Sequence, residues 1–271
     1  MKIVSLWKQL RRCSVVAVVA PLAIVAFTTV AFATHSWGPY HWARTANPFT
    51  LKLGDNVSAT WDAHLATTSN DWNVSTVLDT TIVAGQSKGN CKPTSGRVEV
   101  CNKAYGFNGW LGLAQIWINS ATHITQGVVK VNDTYFNTAT YNTPAWRNLV
   151  MCQEAGHTLG LDHQDENFDN PPLGTCMDYS SDPTLNQHPN AHDYEQLGLI
   201  YAHLDSTTSL KSTAPQESRG KGSGEEADVD DEWGKGIRKD KHGRTSLYER
   251  DLGGGHKVFT FVFWTDQDDG K

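Results

Sequence analysis

The residues of this 271-residue chain best suited to chemistry lie in the run Gln153-Glu154-Ala155-Gly156-His157-Thr158-Leu159-Gly160-Leu161-Asp162-His163. On a helix, positions 153 and 157 are one turn apart and project from the same face, so both side chains can reach one metal ion. Glu154 stands beside them, placed to polarise an attacking water. Gly160 permits the left-handed conformation that ends a helix, so the chain can double back and bring His163 to the same ion from another direction. Imidazoles suit zinc, and bound zinc lowers the pKa of water from about 15.7 to about 7. The expected chemistry is therefore hydrolysis, with Glu154 as general base.

The spacing resembles the elongated zinc motif of the metzincin metallopeptidases, His-Glu-x-x-His-x-x-Gly-x-x-His. It matches at Glu154, His157, Gly160 and His163, with Gln153 in the place of the first histidine. Further on, Gly174-Thr175-Cys176-Met177-Asp178-Tyr179 resembles the Met-turn that passes beneath the zinc in that clan, Met177 being the methionine. Tyr179 is similar to the tyrosine of astacins and serralysins, which can stabilise the tetrahedral intermediate; the remaining layout, with its closing helix, looks matrixin-like. The resemblance spans roughly residues 35 to 205.

It implies an α+β zincin domain with a twisted mixed β-sheet, an active-site helix and a C-terminal helix. It also implies a zinc metalloendopeptidase in which Gln153, His157 and His163 hold Zn2+, Glu154 is the general base and Tyr179 donates to the oxyanion. A protein or peptide substrate would bind in extended form along a sheet edge. The alternative is a catalytically weak or inactive relative that serves as an extracellular peptide-binding or adhesion module.

These residues need a helix, a turn and a sheet to position them. Thr143-Pro144 offers an N-cap and a first-turn proline for a helix that runs to Leu159 and ends at Gly160. A second helix is expected over residues 192 to 201, where Leu197, Ile200 and Tyr201 share a face. Strands are expected over 73–78, 96–100, 114–118 and 124–131.

Residues 1–33 have a basic start, an apolar run from Cys13 and an Ala31-Phe32-Ala33 ending, the pattern of a cleaved export signal. The expectation is a secreted protein, with membrane contact only if that segment stays uncleaved. Removing its Lys2, Lys8, Arg11 and Arg12 leaves 19 Lys plus Arg against 29 Asp plus Glu, a net charge of −10. Such a chain has no general attraction for nucleic acid. Residues 34–205 read as the metzincin-like domain, 206–232 as a linker rich in Ser, Lys, Gly and acidic residues, and 233–271 as a small hairpin-like tail or docking strand.

The four cysteines beyond the signal permit three pairings. The closeness of Cys91 to Cys101 favours a local clip, which leaves Cys152 with Cys176 by elimination; free buried thiols are the other reading. In the clan's fold the second pair would flank the metal from opposite sides. Asp162, Asp165, Glu166 and Asp169 form an acidic cluster that could hold structural Ca2+, although its spacing matches no known calcium loop. His35, His41, His64, His123, His188, His192 and His203 are candidates for a substitute ligand, and Asn56, Asn73 and Asn132 begin glycosylation sequons.

Overall fold

Phe49, Leu51 and Leu53 alternate with exposed Thr50 and Lys52, a period of two that buries one face of an extended chain. This is β2 (Phe49–Asn56) of a nine-stranded mixed sheet. The others are β1 (His41–Trp42), β3 (Leu78–Ala84), β4 (Val98–Lys103), β5 (Trp110–Ile118), β6 (His123–Asn132), β7 (Lys235–Lys239), β8 (Thr245–Gly253) and β9 (His256–Trp264). The computed structural model describes residues 34–87, 90–211 and 233–266, all in one unit that begins at Thr34. The export signal expected over 1–33 and residues 212–232 of the expected linker lie outside the described residues. Among those described, no helix is long and apolar enough to cross a membrane.

The sheet order is β3-β2-β4-β6-β5-β9-β8-β7, with β1 pairing the start of β6. β2, β3, β4 and β6 are parallel neighbours, and β5 runs antiparallel to β6. Helices α1 (Ala59–Trp72) and α3 (Pro144–Thr158) pack together and against the sheet, and α2 (Asp133–Phe136) and α4 (Ala191–Ile200) are shorter. Buried Trp61, Leu65, Thr68 and Trp72 give α1 its inward stripe at helical spacing. This helix is not foreseen in the sequence, because Thr, Ser, Asn and Asp between those residues are weak helix formers.

The strand expected over 73–78 begins only at Leu78. Asn73 caps α1, and its amide exchanges hydrogen bonds with the Thr80 backbone, which makes the preceding residues a turn. The capping logic does place α3, whose first turn is held by the Thr143 hydroxyl accepting from the Trp146 N–H. Asn190 and Asp193 form a capping box on α4.

Helix α4 is followed by a three-stranded antiparallel meander, β7-β8-β9, whose last strand pairs with β5. Gly254 and Gly255, both at positive φ, turn β8 into β9, a geometry that side chains with a Cβ resist. Phe259, Phe261 and Phe263 point from β9 into the main core, each worth about 1.5–3 kcal/mol of apolar burial. Val262 faces the other way into a second cluster with Trp110, Leu113, Trp233 and Tyr248. Disulfides join Cys91 to Cys101 and Cys152 to Cys176. Asn132 is fully buried, with its amide donating to Gly106, Asn108 and Trp110, so that sequon is closed in the folded chain.

Candidate metal centre

Helix α3 ends where its sequence requires. Gly160 takes φ +100°, the Gly160 N–H donates to the His157 carbonyl, and the Leu161 N–H reaches back to Gly156, which is the Schellman pattern. Side chains also reach the carbonyls at that end: the Trp37 indole donates to His157 as a second donor, Trp42 to Thr158 and the Tyr201 hydroxyl to Leu159. A helix end fixed by three aromatic donors sets the direction in which the chain turns toward His163.

The turn brings His157 and His163 together, with their Nε2 atoms 3.0 Å apart. The other nitrogen of each ring is already committed. His157 Nδ1 lies 2.9 Å from the Leu161 carbonyl, and His163 Nδ1 lies 2.7 Å from a Glu166 carboxylate oxygen. The Leu161 carbonyl and the Glu166 carboxylate accept, which puts hydrogen on both Nδ1 atoms, while the Arg238 guanidinium also lies 3.4 Å from His163 Nδ1; with both rings neutral, the two Nε2 atoms face each other as acceptors. Two neutral rings so placed repel, and the contact is satisfied by a metal ion or by one proton on an Nε2. Burial, with His163 and Arg238 nearby, holds His157 well below the ordinary imidazole range, which opposes its protonation.

Gln153, one turn earlier, is fully buried. Its amide nitrogen donates to the Cys176 carbonyl at 2.8 Å, while Oε1 has no hydrogen-bond partner. An orphaned buried oxygen is costly, of order 1–3 kcal/mol, and is the atom through which a glutamine ligates a metal. Glu154 is likewise fully buried, with neither carboxylate oxygen in a hydrogen bond of acceptable geometry. Burial pushes its carboxyl well above the usual range, a shift only partly countered by the nearby Phe263 backbone N–H. Two imidazoles, each oriented by a second partner, and an orphaned amide oxygen one helical turn away are donor types compatible with zinc.

The supporting residues are close-packed. Met177 lies beneath α3, where a Cβ on Gly156 would meet its sulfur at 2.5 Å and the Trp72 ring at 2.8 Å. The Cys152–Cys176 disulfide joins the residue before Gln153 to the residue before Met177. A Cβ on Gly112 would meet Val150 at 2.4 Å and Glu154 Oε1 at 3.0 Å, so β5 passes directly against the helix at the glutamate. Tyr179 is fully buried, its ring 4.5 Å from that of His163, and its hydroxyl donates to the Val262 carbonyl of β9 at 3.1 Å.

The centre is closed by residues with no signal in the local sequence. Phe261 of β9 stacks on His157 at 4.0 Å, and Arg238 of β7 pairs with Asp162 and with Glu166 at 3.0 Å. The acidic cluster proposed for calcium is thereby occupied: Arg238 and His163 take Asp162 and Glu166, and Asp165 accepts from Asn170. Asp162, His163 and Glu166 do converge closely enough for a metal. A cation there would have to displace the Arg238 guanidinium and the hydrogen on His163 Nδ1. None of the candidate substitute histidines joins the centre: His35 pairs with Asp193, His64 with Asn148, His188 with Asp71 and His192 with Glu195. His41, His123 and His203 gather instead around Asp205.

No family model matches this chain, and no curated protein does. Among solved structures, it is similar to high choriolytic enzyme 1, a hatching enzyme zinc-protease from the medaka fish Oryzias latipes. The identity is 11% and the TM-score 0.33, over 60% of this chain and 94% of that one. A likeness this loose carries no argument about activity, for which the geometry above is the basis.

Proposed function

We propose that the chain is a secreted zinc endopeptidase of the metzincin type, with a matrixin-like layout, held latent by its own C-terminal meander. The observation that carries the reading is the convergence of His157 Nε2 and His163 Nε2, 3.0 Å apart, with each ring fixed through Nδ1. Gln153 Oε1 would complete the donor set. When bound, zinc supplies Lewis-acid polarisation of the scissile carbonyl and acidification of the attacking water.

The chain's own residues do the rest. Glu154, buried against β5, would take the proton of the water at its carboxylate and return it to the nitrogen of the leaving amine. The Tyr179 hydroxyl would donate to the carbonyl oxygen under attack, a contribution of about 3 kcal/mol where comparable donors are removed. The β5 edge would hold the substrate as an added antiparallel strand.

In this structure β9 lies on that edge, with Ala114 opposite Phe261 and Leu113 opposite Val262. Tyr179 bonds the Val262 carbonyl as it would bond a substrate's. This placement of β9 supports the reading of an extended substrate across the centre, which in the proposal is excluded while β9 is there. Gln153 favours a second reading, a relative that binds extended peptides without cutting them, since an amide oxygen is a weaker zinc donor than imidazole.

The test is zinc titration of the mature chain, of Gln153→His and of the double variant His157→Ala/His163→Ala. The proposal predicts labile zinc in the parent, tighter zinc in Gln153→His and none at this centre in the double variant. Equal affinity in parent and Gln153→His would remove position 153 from the site, and with it the metzincin assignment.

A further inference from the structure

We propose that His41, His123, His203 and Asp205 form a second zinc site, structural in kind, that clamps the segment entering the domain to the segment leaving α4. It shares no residue with the centre on α3. Asp205 Oδ1 lies 3.3 Å from His41 Nε2, 3.2 Å from His123 Nε2 and 3.8 Å from His203 Nε2, and His203 Nε2 is 3.1 Å from His41 Nε2. A tetrahedron with metal–ligand bonds of about 2.0–2.1 Å has edges of about 3.3 Å, so His41, His123 and Asp205 converge as three ligands around one zinc, and His203 lies beside them, outside that spacing.

The atoms behind the ligands hold them in that pose. His41 Nδ1 donates to the Pro39 carbonyl at 2.9 Å, which turns Nε2 toward Asp205 Oδ1. The other carboxylate oxygen of Asp205 takes the Arg44 backbone N–H at 3.1 Å and its guanidinium at 3.0 Å, which turns Oδ1 toward the three rings. Ligands oriented by a carbonyl and by an outer cation are a recurrent feature of metal sites. The backbone supplies the rest: parallel pairing sets His41 beside His123, and the Asp205 N–H donates to the Arg44 carbonyl at 2.9 Å. The side chains of His41, Asp205 and His123 are 7%, 10% and 18% exposed, and that of His203 is 57% exposed. Three ligands are thus preset and the fourth can swing in over the ion. Three imidazoles and one carboxylate suit zinc or cobalt, whereas calcium takes six to eight oxygens.

The experiment is titration of the full mature chain with Zn2+ and, separately, with Co2+, whose visible absorption reports tetrahedral coordination. The His157→Ala/His163→Ala variant isolates the clamp, and His123→Ala and His203→Ala are then added to it one at a time. The expected result is that the double variant keeps one zinc, raises its melting temperature with it and shows a tetrahedral cobalt spectrum. His203→Ala, which removes only an exposed ring, should weaken that zinc by more than about tenfold, and His123→Ala should abolish it. A double variant that melts cooperatively yet binds no zinc, or whose zinc is indifferent to His203→Ala, overturns the clamp. Loss of zinc only on mutating His157 and His163 would defeat the clamp and leave the proposed peptidase centre standing; loss only on mutating His123 would do the reverse.

Discussion

Gln153 and Glu154 carry the weight at the scale of single residues. Glutamine keeps the reach and helical phase of the histidine expected at its position but offers zinc a neutral oxygen, so the proposed centre is labile by design of its donor set. Glu154 is not a ligand in the proposal, and Glu154→Ala should abolish turnover while leaving zinc affinity within a few-fold of the parent, measured by cleavage and titration on the same preparation. The glutamate also makes metal-free stability depend on pH. Its folded-state pKa is raised well above the ordinary 4.5, so the folded protein holds a proton that the unfolded chain releases. The associated stability is complete below that ordinary value and is lost as pH rises through the folded value. Urea midpoints of the metal-free protein should therefore fall from acid toward neutral pH, and Glu154→Gln, which cannot ionise, should flatten that fall. Retention of the full slope in Glu154→Gln would assign it to other groups. The helical phase of Gln153 and His157 and the turn at Gly160 are legible in sequence because they are local. Arg238 is not, since its partners Asp162 and Glu166 lie far along the chain.

At the scale of elements, α3 and the turn carrying Met177 act as one unit. The Cys152–Cys176 disulfide closes a loop of sequence separation 24 between them. In the chain-entropy model such a bridge stabilises by about 3 kcal/mol. Cys152→Ala/Cys176→Ala should lose stability of that order in urea and bind zinc more weakly, because Gln153 donates to the Cys176 carbonyl. An unchanged urea midpoint would show that packing at Gly156 and Met177 holds the pair without the bridge. Strong caps and periodicity make α3 and α4 readable from sequence, and β-branched runs do the same for β4, β5 and β6. Helix α1 is hidden by its polar filling, and β3 by an asparagine whose side chain bonds to a backbone seven residues on. What β9 pairs with is invisible to any local pattern, because strand pairing is a long-range choice that only packing decides.

At the scale of the molecule, the meander converts an open sheet edge into an internal one. Its aromatic residues Phe259, Phe261 and Phe263 are buried, so they serve the core and not attachment to an outside surface. In the proposed reading, opening the centre requires the meander to leave β5. A cut placed between residues 211 and 233 makes its association with β5 intermolecular and so dependent on concentration. The most direct measurement is cleavage of an unfolded protein by the zinc-loaded mature chain before and after that cut, at concentrations where size-exclusion chromatography shows the two pieces apart. The account predicts no cleavage by the intact chain, and cleavage by the separated domain that a chelator stops, zinc restores and Glu154→Ala lacks. A separated, folded, zinc-loaded domain that cuts nothing, or cleavage indifferent to chelator and to Glu154→Ala, would contradict it.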